Sequence, residues 1–255
     1  MEKIQKSLFL IIFAISFSDA NHLIFNRITL DPINAEFVSI YNSTDNIEVD
    51  LSNYYITDNP SSISYFDLPQ DVSDQTISNW SVTPFNFVAQ FPSNTIIAPG
   101  DSIILSFHTH EIFNSYYGYN PDLSLFEDML DLNDNGTISC DAVNCFSQDL
   151  LSNDAEVLIL FYWDQVSSIV KDVDYFLWGN NNYAVDKTGV GDYRDDTSVD
   201  IQDFQSTHNE GYTFVRSDLS EGLEVSALGN GITGHDETSE NISDTWEIIS
   251  TPEIG

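Results

Sequence analysis

The run AEVLILFYW (155–163) constrains the chain more than any other segment. In an extended strand Val157, Ile159, Phe161 and Trp163 share one face, and Leu158, Leu160 and Tyr162 share the other. A strand that is apolar on both sides needs cover on both sides. It belongs in the middle of a sandwich or beneath an inserted segment. Asp164-Gln165 then turns the chain into SSIVKDVDYFLW (167–178).

Other runs follow the same pattern. HLIFNRITL (22–30), EFVSIYN (36–42), DLSNYYIT (50–57), NTIIAP (94–99), SIILSFHT (102–109) and TWEIISTPEIG (245–255) are rich in β-branched and aromatic residues and are separated by turn-forming stretches. Helical i, i+3, i+4 spacing is sparse, with short helical turns expected near 111–117 and 124–130. These features predict an all-β domain, most simply a two-sheet sandwich, with insertions near 61–91, 111–150 and 180–244.

The first residues read MEKIQKSLFLIIFAISFSDANHL. Lys3 and Lys6 precede a ten-residue apolar run, Leu8–Phe17, and Ser18-Asp19-Ala20 supplies the small residues of a signal-peptidase site. Ten residues are too few to cross a hydrocarbon layer of about 30 Å. The expectation is a signal peptide over 1–20 and an exported domain over 21–255. Such a protein is secreted, extracellular or periplasmic, with no membrane insertion once the peptide is removed.

The formal charge is −34, from 41 acidic and 7 basic residues. That balance argues against nucleic acid and anionic membrane surfaces, both of which are held through Lys and Arg. Two cysteines, Cys140 and Cys145, lie close together in CDAVNC. In an exported chain such a pair suggests a local disulfide, although spacing alone leaves two free thiols open.

Four groups of residues invite a chemical reading. In DLNDNGTISCDA (131–142), Asp131, Asn133, Asn135 and the Thr137 carbonyl occupy the first oxygen positions of an EF-hand loop, with Gly136 at its turn. Ala142 replaces the bidentate acid and Asp141 lies one residue early, so calcium competes with an ordinary Asp/Asn/Gly turn. In FHTHE, His108 and His110 would share a face on a strand and could reach one zinc, with a third ligand from His208, His235 or Asp236. That arrangement would suit a metal-dependent hydrolase; solvent-facing histidines are the plainer alternative.

The acidic stretches 192–203 and 234–240 could hold paired carboxylates, and are more simply solvated loops. Exposed aromatics, drawn from Trp80, Trp163, Trp178, Trp246, Tyr116, Tyr117 and Tyr119, could form a sugar-stacking platform; tryptophans in the core are the alternative. The sequence contains no GxSxG, HExxH or P-loop motif.

The order of segments resembles the lamin tail domain family, in the form found in exported bacterial proteins. EFVSIYNSTDNIEVDLSNYYITDN (36–59), FPSNTIIAPGDSIILSF (91–107), LSNDAEVLILFYWDQVSSIVKDVDYFLWG (151–179) and TWEIISTPEIG are similar to four of its blocks. The chain departs from the family at Asp154-Ala155, where a glycine is usual, and at Ile254, where proline is common. The resemblance implies an immunoglobulin-like β-sandwich without catalytic activity. It implies a recognition or structural role towards a protein or glycan partner at the cell surface. The alternatives are a secreted calcium-dependent carbohydrate-binding protein and a metal-dependent hydrolase.

Overall fold

A computed structural model describes residues 22–58, 64–74, 87–132, 137–138, 150–193, 196–219, 224, 226 and 229–251. The expected signal peptide, Trp80, Asn133, Asn135, Asp141, Cys140 and Cys145 lie outside them.

Among the described residues, thirteen strands form three sheets. The six-stranded sheet contains β1 (Leu23–Thr29), β2 (Phe37–Asn42), β7 (Ser102–Ser106), β8 (Leu123–Ser124), β12 (Tyr212–Arg216) and β13 (Trp246–Ser250), in the order β13-β12-β1-β2-β7-β8. The five-stranded sheet contains β4 (Tyr54–Thr57), β5 (Val88–Gln90), β9 (Leu130–Asp131), β10 (Glu156–Tyr162) and β11 (Lys171–Trp178), in the order β11-β10-β4-β5-β9. A small ribbon joins β3 (Val49–Asp50) to β6 (Ile96–Ile97). The two large sheets share one apolar core, so the fold is an all-β sandwich.

The expectation for 155–163 is met on both sides. Leu158 pairs with Phe176, whose ring lies 5.0 Å from Phe214 of β12 and 4.2 Å from Trp246 of β13. This is the face turned to the opposite sheet. On the other face Phe161 stacks with Tyr55 at 5.1 Å and meets Tyr65 at 5.0 Å. Tyr65 belongs to a 3-10 turn, Tyr65–Asp67, which leads into α1 (Leu68–Asp74). The described part 64–74 of the expected insertion near 61–91 therefore roofs the sheet, and the end of the insertion supplies β5.

A β-bulge lies in the hairpin of β10 and β11. Leu160 pairs with Asp174 and Phe161 with Asp172, leaving Val173 unmatched. The extra residue breaks the two-residue alternation. Asp174 turns inward to Arg216 of β12, whereas Asp172 turns outward to Tyr65 and Lys187.

Of the two expected helical turns, one forms. In α2 (His110–Tyr117) the Thr109 hydroxyl caps the Ile112 N–H, and Gly118 ends the helix at φ 76° with its N–H on Asn114 O. Residues 125–128 instead form turns hydrogen-bonded to Ser124 O, between β8 and β9.

Candidate functional site

Trp163 ends the outward face of β10, and the turn after it shapes the clearest cleft on that side. Its indole N–H donates to Ser167 O at 2.8 Å, fixing the ring against the hairpin loop. Asp164 holds the same loop, accepting from the N–H groups of Val166 and Ser167 and from the Ser167 hydroxyl. Those bonds keep its carboxyl below the usual range. Gln165 sits at φ 63°, a conformation few residues with side chains adopt, and its amide donates to Tyr55 OH at 3.3 Å.

Between this loop and α1 lies an open cleft of about 340 Å³. Gln70, Ser73, Gln165 and Ser168 bring neutral donors and acceptors to it, and Val72 and Val166 bring exposed apolar surface. A second hollow of about 200 Å³ continues past Trp163 towards Lys171.

The histidine pair takes a different geometry from the one expected. β7 stops at Ser106, so His108 and His110 do not share a strand face. His108 is buried, donating through Nε2 to Ile33 O at 2.5 Å and lying 3.6 Å from Glu36. Burial holds its pKa below the ordinary histidine value. His110 starts α2 and pairs with Asp128 at 2.7 Å. His208 accepts from the Leu30 N–H, and His235 lies beside Glu224 and Thr233. The imidazoles thus serve separate partners. Among the described residues no cluster of three His, Cys, Asp or Glu could hold a metal ion.

At the expected calcium loop, Asp131 and Thr137 are the ligand candidates within the described residues. Asp131 pairs with Ala89 in the five-stranded sheet, and Leu130 bridges Thr137. With Ile138 N–H donating to Met129 O at 2.9 Å, these contacts close the base of the loop.

Aromatics offered as a platform are mostly interior. Trp178 and Trp246 are core, and Tyr117 and Tyr119 pack on Phe113 at 4.6 and 5.4 Å. Among the described residues of that group, only Tyr116 is largely exposed.

The acidic stretches also depart from solvated loops. Asp196, Asp236, Glu237 and Glu240 are buried. Glu240 and Asp174 flank Arg216 at 2.7 and 2.8 Å between the sheets. Asp172 and Asp196 flank Lys187 at 2.6 and 2.8 Å under the roof. Burial pushes Asp174 up to about 7 and Asp196 to about 6, against the pull of the adjacent cations. Sequence reasoning missed both clusters. The one available signal was the scarcity of Lys and Arg. Of the four such side chains among the described residues, Lys187 and Arg216 are buried, leaving Arg27 and Lys171 nearer solvent.

Compared with family models, curated proteins and solved structures, the chain matches none of them. No helix among the described residues is long and apolar enough to cross a membrane.

Proposed function

We propose that this chain is an exported, non-catalytic recognition module, an immunoglobulin-like sandwich of lamin-tail type, and that the cleft beside Trp163 binds a neutral glycan at a cell surface. The carrying observation is the chemistry of that cleft. Its polar lining consists of amides and hydroxyls, and Val72 and Val166 supply exposed apolar contact beside the largely buried Trp163. Sugars present the same mixture of hydroxyls and C–H faces. The formal charge of −34 disfavours anionic ligands by long-range repulsion. The hairpin loop is pre-shaped by Asp164 and the left-handed Gln165, which lowers the ordering cost of binding. The four lamin-tail-like blocks support the fold family, and the export signal supports the location.

A glycan array probed with the mature chain, followed by calorimetric titration of the best ligand, tests this reading. Replacing both Gln70 and Ser168, which are exposed, by alanine is expected to weaken binding about tenfold, close to 1.4 kcal/mol. Stability should change by less than about 0.5 kcal/mol. An array without neutral-glycan binding, or affinity indifferent to the double variant, rejects the cleft. The same titration in EDTA decides whether calcium takes part.

A further inference from the structure

The Lys187 cluster contains more acid than an ion pair needs, and its amine contacts two buried carboxylates. The amine is fully buried, and the side chains of Asp172 and Asp196 are 4% and 1% exposed. Asp172 is well satisfied: Tyr65 OH donates to Oδ1 at 2.6 Å, and Lys187 Nζ and Asn230 Nδ2 donate to Oδ2 at 2.6 and 3.3 Å. Asp196 is satisfied on one side only. Its Oδ2 accepts from Lys187 Nζ at 2.8 Å and from the Lys187 backbone N–H at 2.7 Å. Its Oδ1 is buried with no hydrogen-bond partner among the described residues.

We propose that Lys187 Nζ and the Asp196 carboxyl condense to a side-chain amide, an intramolecular cross-link that anchors the 180–205 segment. Asp172 acts as the base. It takes one proton from the ammonium, and the freed lone pair on Nζ attacks Asp196 Cγ. The C–N bond forms, and charge builds on Oδ2, where the Lys187 backbone N–H already donates. Oδ1 then departs as water, carrying the proton held by Asp172 and a second proton from the nitrogen. One ammonium and one carboxylate become one amide and one water, with no change of oxidation state.

The driving force is burial. In water this condensation is opposed because it discharges two well-solvated ions. Here that solvation is already lost, and the neutral product no longer bears the cost of buried charge. Burial also pushes Asp196 upward, towards the neutral acid that is the better electrophile. Burial acts to lower Lys187, but the two carboxylates outweigh it and hold the amine above its ordinary value. That makes proton transfer to Asp172 the necessary first step.

The test is the intact mass of the purified, reduced chain, compared with the mass expected from its sequenced N-terminus. The expected result is a deficit of one water. Trypsin should then leave Lys187 uncut and yield peptide 172–194 joined to peptide 195–216, since it still cleaves after Lys171, Arg194 and Arg216. Lys187→Arg keeps a cation that cannot condense in this way, and it should show the full mass. A wild-type chain at full mass overturns the proposal. So does a water deficit that persists in Lys187→Arg, as an aspartyl succinimide would give, or a link to Asp172 in place of Asp196.

Discussion

Asp172 and Asp174 stand two residues apart on β11 and project to opposite faces of the sheet, because the bulge at Val173 inserts one residue between them. Each carboxylate finds a buried cation on its own side, Lys187 under the roof and Arg216 between the sheets. A regular strand would have sent both to the same face and left one cation without its partner.

Giving Val173 a partner should therefore be far more damaging than shrinking it. Val173→Ala keeps the bulge and is expected to cost about 2 kcal/mol through the cavity it leaves. Inserting one residue between Leu160 and Phe161 pairs Val173 and makes the strand regular; it sends both aspartates to one face and orphans a buried charge, adding about 3–5 kcal/mol. Urea denaturation followed by circular dichroism should find the alanine variant folded and the insertion variant largely unfolded. Equal stability of the two would remove the bulge from this role.

The Arg216 cluster makes a second expectation. Its guanidinium donates to Asp174, to Glu240 and to Phe25 O, and the Asp174 carboxylate also accepts the Phe25 N–H. Arg216→Ala leaves two facing carboxylates in a dry site and should cost about 3–5 kcal/mol. Lys171→Ala, at the exposed start of β11 in the opposite sheet, should cost less than about 0.5 kcal/mol. A chemical denaturation series on both variants checks the contrast.

Stability should fall as pH rises above mildly acidic values. Asp174 is raised from 3.8 to about 7, so the folded chain binds its proton more tightly than the unfolded chain does. Its contribution is fully present below 3.8 and is lost as pH rises through about 7. His22 runs the other way. Burial lowers it from 6.5 to about 4, so its contribution is present above 6.5 and is lost as pH falls towards 4. Between about 4 and 6.5 the two effects offset each other; above 6.5 only the Asp174 effect remains of the two, and melting temperature should decline from there to about pH 8. In His22→Gln the decline should already begin near pH 4, with the limb above 6.5 unchanged. A melting temperature that climbs between pH 6.5 and 8 would contradict the assignment.

Gly179 is required for close approach. It follows β11 at φ 80°, and a Cβ there would lie 2.0 Å from Asp154 O and 2.6 Å from Ala155 Cα. Gly179→Ala meets a rigid backbone as well as an unfavourable φ, and should cost about 3 kcal/mol or more. Thermal melting reads this directly. The Asp154-Ala155 backbone is thus seated against a residue that has no side chain.

Much of the sandwich was legible in the sequence. The runs at 22–30, 36–42, 155–163 and 167–178 announce β1, β2, β10 and β11, because alternating or continuous apolar patterns survive wherever a strand is buried. β12 was not read from YTFVR, since it sits inside an acid-rich stretch where composition suggests solvent. The short β5, β8 and β9 carry too few residues for any periodicity. The candidate site was only half visible. Trp163 and the Asp164-Gln165 turn stand out in the sequence, whereas Gln70 and Ser73 reach the cleft from α1, nearly a hundred residues earlier in the chain.

The sequence by itself determined the all-β class and the acidic balance, because both follow from local pattern and residue count. Tertiary structure alone decided which charges are buried. Lys187 meets Asp172 and Asp196, and Arg216 meets Asp174 and Glu240, only after a one-residue bulge and two long segments have been folded over the sheets. No periodicity encodes those contacts, since each joins residues from different segments, and their energy depends on the exclusion of water that the packed fold creates.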